Sequence, residues 1–203
     1  MRGYYFITDS TYSAAGMASD LENAVAAGVK IIQYRNKGAQ TRILYNEALS
    51  IRNLCLKNRA RLIINDRIDI ALAMDADGVH IGQEDMPYQE ARRLLGNDKI
   101  IGVTVHTLEE ALIAQDLGAD YLGVSPIFAT ATKLDAGTPC GVEGLRAIRK
   151  ASHLPIAAIG GIDLSNAGLV IEAGADMVCA ISAVVTKPDV AAQIRKFQKE
   201  FGL

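Results

Sequence analysis

The sequence has no tryptophan, only three cysteines and five prolines in 203 residues, and no excess of charge of either sign. The cysteines, Cys55, Cys140 and Cys179, are odd in number and far apart. They form no Cys-x-x-Cys pair and no Cys/His cluster, which argues against a structural metal site; they read as reduced, packed thiols. No apolar run is long enough to cross a bilayer. Residues 1–9 lack the apolar core and cleavage site of a signal peptide, so the cytoplasm is the expected location and no membrane partner is expected. Lys and Arg number 21 against 23 Asp and Glu, a net charge of −2. An extended nucleic-acid surface normally shows as a basic excess, so no nucleic-acid partner is expected. A small anionic substrate stays open, because a local basic pocket need not change the total. There is no linker and no low-complexity segment. Half the residues are hydrophobic and 22% are charged, as in a soluble globular chain, and a single domain over 1–203 is expected.

What is present is alternation. Short apolar runs rich in strand-forming residues occupy 4–8, 30–34, 61–65, 77–82, 99–103, 120–124, 155–159 and 176–181. Segments with helical spacing lie between them. In 42–56, for instance, Ile43, Leu44, Ala48, Ile51 and Cys55 recur near a 3.6-residue period. Strands alternating with helices predict a parallel sheet. A partial internal repeat supports this: Asp75-Ala76-Asp77-Gly78-Val79, Gly118-Ala119-Asp120-Tyr121-Leu122 and Gly174-Ala175-Asp176-Met177-Val178 resemble one another. In the last two, Gly ends a helix, Ala-Asp turns, and a strand begins; Gly suits that place because it accepts a left-handed C-cap. One module repeated around a closed sheet predicts an α/β fold, a single (β/α)8 TIM barrel, with short loops because about 200 residues is the lower limit for that architecture. An open doubly wound sheet is the alternative, but no Gly-x-Gly-x-x-Gly follows the first run.

Such a barrel places its active site at the C-terminal ends of its strands, so the residues after each run are the candidates. After the second run comes Gln33-Tyr34-Arg35-Asn36-Lys37. Side chains alternate along a strand, so Gln33 and Arg35 share one face, Ile32 and Tyr34 the other, and Lys37 extends the polar face. An amide, a guanidinium and an ammonium in a row suit a polyanion, although a solvated strand end is the competing reading. Asn65-Asp66-Arg67 follows the third run and Gly82-Gln83-Glu84-Asp85 the fourth. Asp66 and Asp85 thus place carboxylates on neighbouring strand ends, an arrangement suited to a Mg²⁺ that also binds diphosphate oxygens, since Mg²⁺ usually takes only one or two protein ligands. Asp66 reads equally as an N-cap of the next helix; Asp69, Asp75 and Asp77 read as caps and turns. His106 could donate to an anion or act in acid–base chemistry, although a packed or capping role is the commoner one, and His80, within the fourth run, reads as a core residue. A long loop, 125–141, follows the sixth run and carries Thr130-Ala131-Thr132-Lys133, hydroxyls and a cation suited to phosphate; long loops in compact domains are often lids. Gly160-Gly161 and Ile181-Ser182 follow the last two runs, where backbone N–H groups and a helix N-terminus commonly gather a phosphate. Two anion sites result, one suited to diphosphate and one to a monophosphate, with no nucleophile–base pair. They suggest transfer of a group from diphosphate onto a phosphorylated acceptor.

The same residues carry a resemblance. Along nearly its whole length the chain resembles the thiamine phosphate synthase family. The match runs through Tyr5-Phe6-Ile7-Thr8-Asp9, the stretch from Gln33 to Lys37, Ile64-Asn65-Asp66-Arg67, the stretch from Asp77 to Asp85, Thr130-Ala131-Thr132-Lys133, Ala158-Ile159-Gly160-Gly161-Ile162 and Ile181-Ser182. The resemblance implies that Gln33, Arg35, Lys37, Asn65, Thr104 and Lys133 bind hydroxymethylpyrimidine diphosphate. It implies that Asp66 and Asp85 hold Mg²⁺, and that Thr130, Thr132, Gly161, Ile181 and Ser182 bind the thiazole phosphate. Family members ionise the exocyclic C–O bond of the pyrimidine, release diphosphate, and let the thiazole nitrogen capture the cation. Arg35, Lys37 and Lys133 would then be the catalytic cations. Whether the thiazole carries an extra 2-carboxylate stays open. Three positions depart from the family pattern: Thr104 replaces Ser and keeps the hydroxyl, Ser125 replaces Gly, and Asn36 replaces an acidic residue. A related thiazole tautomerase is the nearest rival, but such proteins tend to lack the carboxylate that Asp66 supplies and to carry a His in the loop after the sixth run, where this chain has Ser125-Pro126. A non-catalytic phosphate-sensing barrel is a rival of another class, against which the complete ligand set argues. Barrels of this kind are often homodimers, with no interface legible in the sequence.

Overall fold

The computed structural model describes residues 1–132 and 137–203. Nine strands among the described residues form one all-parallel sheet: β1 (Gly3–Tyr4), β2 (Phe6–Ile7), β3 (Ile31–Tyr34), β4 (Arg61–Asn65), β5 (Gly78–Ile81), β6 (Ile100–Val105), β7 (Tyr121–Val124), β8 (Ile156–Ile159) and β9 (Met177–Cys179). β1 and β2 are two pieces of one extended segment that separate at Tyr5. β1 pairs with β9 and β2 with β3, so the last strand returns to the first segment and the sheet closes. Counted as one, they make the eight strands of a TIM barrel, and no boundary lies more than two residues from its predicted run. The helices are α1 (Met17–Ala26), α2 (Thr41–Asn58), α3 (Ile68–Ala73), α4 (Tyr88–Leu95), α5 (Leu108–Leu117), α6 (Gly141–Ala151), α7 (Ala167–Glu172), α8 (Ser182–Val185) and α9 (Val190–Glu200).

The strands are apolar on both faces because both faces are covered. Alternate residues sort into two cores. Tyr4, Phe6, Ile32, Tyr34 and Ile64 pack outward against the helices. Tyr5, Ile7, Ile31, Ile63, Tyr121, Ala157, Met177 and Cys179 fill the barrel. On α2 the buried stripe is Leu44, Ala48, Ile51 and Cys55, as its period predicts. Ile43 is the exception at 47% exposed, because it falls at the edge of that stripe. Burial pushes the Cys55 thiol up to about 12, and Cys179 is also raised by burial, so both stay protonated and packed.

The repeated Ala-Asp turn has a physical cause at the bottom of the barrel. Asp77, Asp120 and Asp176 each donate a backbone N–H to the carbonyl of Leu62, Ile101 and Ile156 respectively. Each carboxylate then accepts the N–H of that same neighbour, at 2.8, 2.7 and 2.9 Å. An arginine from α2, α4 or α6 backs each carboxylate: Arg52 at 3.6 Å, Arg92 at 2.7 Å and Arg149 at 3.1 Å. Gly118 caps α5 in the left-handed region as expected. In the first copy Asp75 takes that place at φ 54, which Asp tolerates better than most residues.

Because this clamp lies opposite the strand ends that bear the chemistry, it should affect stability alone. A hydrogen bond to a charged group is worth about 1.5–3 kcal/mol, and at this size 1 kcal/mol shifts Tm by about 2–4 °C. Asp120→Ala is therefore expected to lower Tm by roughly 3–12 °C with turnover retained. A thermal melt beside an activity assay checks it; lost turnover at an unchanged Tm would place Asp120 in the wrong role.

Candidate functional site

At the C-terminal ends of the strands lies one cavity of about 1190 Å³. Gln33, Arg35, Lys37, Asn65, Asp66, Asp85, Thr104, Thr130, Thr132, Gly161, Ile181 and Ser182 all line it. Lys133, the remaining candidate, lies outside the described residues, as does the centre of the expected lid.

Its cationic side is built by β2, β3 and their extensions. Arg35 follows β3, and its backbone is pinned to β2 by Thr8, whose hydroxyl accepts the Arg35 N–H at 2.8 Å and donates to the Arg35 carbonyl at 3.2 Å. The guanidinium is aimed by Asp9, whose Oδ2 accepts from Nη1 at 3.1 Å. Asp9 is 5% exposed, and its other oxygen accepts the N–H groups of Thr11 and Tyr12. Asp9 thus orients the guanidinium as well as pairing with it. It sits in the first family motif but had no assigned role, because its partner lies 26 residues away.

Asp66 and Asp85 meet beside this cation row. Burial first, and the neighbouring Asp85 carboxylate next, hold the Asp66 carboxyl above the ordinary carboxylate range; the Lys37 ammonium pulls it back. Lys37 Nζ stands 3.3 Å from Asp66 Oδ2. Asp85 folds back so that Oδ2 accepts the Gly82 N–H at 2.6 Å. Asp66 does not cap a helix: Arg67 occupies the N-cap of α3. Asp66 instead sits at φ 60, in the left-handed region that Asp tolerates better than most residues. Two facing carboxylates disfavour their own charge, so a hard cation between them would be favoured. A pair rather than a cage matches Mg²⁺, which keeps most of its other positions for water and phosphate.

Across the cavity, the loop after β7 meets the ends of β8 and β9. Thr132 donates its hydroxyl to Ser182 Oγ at 3.2 Å, and its N–H to Thr130 Oγ1 at 3.2 Å. Tyr12 donates to the Ala131 carbonyl at 3.0 Å. Gly160 and Gly161 have φ 105 and 61. A Cβ on Gly160 would lie 2.6 Å from Pro126 Cβ, and one on Gly161 2.5 Å from the Ala129 carbonyl oxygen. The glycines therefore admit the chain's own loop, a demand beyond the anion approach read from sequence.

Two histidines, His80 and His106, are half-buried and line the cavity. His106 rests its Nδ1 on the Ser125 carbonyl at 2.5 Å. His80, expected in the core, contacts Thr104 Oγ1 through Nε2 at 2.8 Å. Period-2 alternation from Ile81, which packs outward, points His80 inward; that signal was available in the sequence.

Known proteins resemble this chain in both sequence and fold. A family model described as thiamine monophosphate synthase matches residues 4–184. The thiamine-phosphate synthase of Methanosarcina barkeri is 51% identical, over 96% of this chain and 88% of that protein. The thiamine-phosphate synthase of Chloroflexus aurantiacus is also 51% identical, over 96% of this chain and 90% of that protein. The solved structure of a thiamine phosphate pyrophosphorylase from Pyrococcus furiosus superposes with a TM-score of 0.91 at 39% identity, covering 98% of this chain and 95% of that one. With both the sequence and the barrel matched over nearly their full extent, this chain belongs to the thiamine monophosphate synthase family.

Proposed function

We propose that the protein joins 4-amino-2-methyl-5-(diphosphooxymethyl)pyrimidine to 4-methyl-5-(2-phosphoethyl)thiazole, giving thiamine phosphate and diphosphate. The observation that supports this is one cavity lined by two unlike groups of residues, each suited to an anion: Arg35, Lys37, Asp66 and Asp85 on one side, Thr130, Thr132, Gly161 and Ser182 on the other. A tautomerase or a phosphate sensor has no need of the first.

In this reading Gln33, Asn65 and Thr104 hold the pyrimidine diphosphate while Arg35 and Lys37 face its phosphates. Asp66 and Asp85 would hold a Mg²⁺, which when bound would neutralise charge on the departing diphosphate. The exocyclic C–O bond breaks, and both electrons leave with the diphosphate oxygen. The thiazole nitrogen then uses its lone pair to form the new N–C bond. That nitrogen carries no proton, so no base is required. The barrier is charge build-up on the leaving group, which cations fixed in advance lower because they need no reorganisation; Asp9 supplies that fixation to Arg35. Lys133 is assigned to the same leaving group.

Mixing both phosphorylated precursors with Mg²⁺ should yield thiamine phosphate and diphosphate in equal amounts. Isomerised thiazole alone, or binding without turnover, would transfer the protein to one of the rival classes. Ser182→Ala tests the acceptor side. A hydrogen bond to an anion is worth about 1.5–3 kcal/mol, and about 1.4 kcal/mol is tenfold. Calorimetry is expected to show the thiazole phosphate Kd raised by roughly 10–100-fold, with little change for the pyrimidine diphosphate. Normal affinity for both would put the acceptor site elsewhere.

A further inference from the structure

One hydrogen-bonded chain runs through the barrel interior and joins opposite parts of the cavity. Gln33 Nε2 donates to the Tyr5 hydroxyl at 2.9 Å. Tyr5 meets the Tyr121 hydroxyl at 2.9 Å, and Tyr121 meets His80 Nδ1 at 2.8 Å. His80 Nε2 meets Thr104 Oγ1 at 2.8 Å. Both phenols are buried, which raises them well above the ordinary range and keeps them protonated. The chain has space made for it. A Cβ on Gly102 would sit 2.0 Å from Tyr121 Cζ, and one on Gly123 would sit 2.7 Å from His80 Cε1. Two adjacent strands, β6 and β7, each give up a side chain where the rings must fit.

The protons along the chain can be counted. Gln33 donates into it, so Tyr5 must donate onward to Tyr121, because a buried hydroxyl proton without an acceptor is strongly disfavoured. Tyr121 then donates to His80 Nδ1. A neutral imidazole carries its single proton on the other nitrogen, so Nε2–H donates to Thr104, whose own proton is left for the cavity. At the far end, Gln33 Oε1 is left as an acceptor. Turning the Gln33 amide over would reverse every link and exchange both ends. With Gln33 donating into the chain, an imidazolium, which donates from both nitrogens, would leave the Tyr5 proton stranded.

We infer that Tyr121 is a positioning residue that carries the hydrogen-bond polarity of the Gln33 amide to the Thr104 hydroxyl, so that the cavity presents an acceptor at one end and a donor at the other. That pattern complements a heteroaromatic ring with an amino donor beside a ring-nitrogen acceptor, and this part rests on the pyrimidine reading above. Tyr121 itself touches no ligand; it acts through His80.

The test is the His80 tautomer, read by ¹⁵N NMR of histidine-labelled protein without substrate. The unaltered protein should show His80 protonated on Nε2 with Nδ1 a bare acceptor. Tyr121→Phe removes the donor to Nδ1 and should give a mixture of both tautomers. In kinetics it should raise KM for the pyrimidine diphosphate roughly tenfold, the loss of about one hydrogen bond, with KM for the thiazole phosphate unchanged. If Tyr121→Phe does not fold, Gln33→Glu tests the same chain: a carboxylate only accepts, so Tyr5 must donate to it, every link reverses, and His80 is expected protonated on Nδ1. An Nδ1-protonated His80 in the unaltered protein, or an unchanged tautomer in the variant that folds, overturns the inference. Because the tautomer is read without substrate, the expected spectra from a protein that makes no thiamine phosphate would sink the proposed function alone.

Discussion

Asp85→Asn should lower turnover by roughly 10²–10³-fold, the several kcal/mol that a bound cation supplies at about 1.4 kcal/mol per tenfold, while leaving the ligand-free protein no less stable. The amide keeps an oxygen to accept the Gly82 N–H, now at 2.6 Å, and removes one of two facing negative charges. The Asp66 carboxyl is raised in the folded protein by burial and by Asp85. A raised carboxyl disfavours its charged form, so the ligand-free protein should gain stability as pH falls through the Asp66 value, and Asp85→Asn should shrink that gain. Mg²⁺ competes with the same proton, so its affinity should weaken over the same pH range. Thermal melts with and without Mg²⁺ at several pH values, beside turnover, read all of this. Equal Mg²⁺ stabilisation of both proteins, or turnover that survives chelation, would remove Asp66 and Asp85 from the metal role.

Gly161→Val should be the most damaging single change in the cavity wall. Its φ of 61 is a genuine outlier for a β-branched residue. Its Cβ would press on the Ala129 carbonyl oxygen at 2.5 Å and Phe128 Cβ at 2.8 Å. Backbone strain of about 1–3 kcal/mol and overpacking of about 1–3 kcal/mol together predict a Tm lower by roughly 4–24 °C at this size. Relief requires the loop after β7 to move, and that loop bears Thr130 and Thr132, so thiazole phosphate binding should go as well. Gly96→Ala is the control: φ is 74 but nothing lies within 4 Å of the added Cβ. It carries strain without overlap and should keep full binding. A Gly161→Val protein that melts no lower than Gly96→Ala and still binds the thiazole would show that the loop yields freely.

The candidate site was legible wherever it depends on local rules. Gln33 and Arg35 were found because strand residues alternate faces and because a parallel barrel puts its chemistry at strand ends. Asp66 and Asp85 were found for the same reason. Asp9, Tyr121 and His80 were missed in their working roles. Their partners stand 26, 116 and 24 residues away, and a polar atom inside an apolar run looks like core until its partner is known. The glycines after β8 were noticed, but their neighbour was taken to be an anion; the loop that crosses them is remote in sequence.

Strand positions, the helical segments between them, the repeated Ala-Asp turn and the family were determined by the sequence alone, since each follows from spacing a few residues long or from motifs read in place. Closure at Tyr5, where one segment pairs with β9 on one side and β3 on the other, was decided only in three dimensions. So were the meeting of Asp66 with Asp85, the aiming of Arg35 by Asp9, and the polar chain from Gln33 to Thr104. Backbone geometry sets a side chain's direction within its own strand, but which side chains converge depends on the curvature and stagger that close the whole sheet.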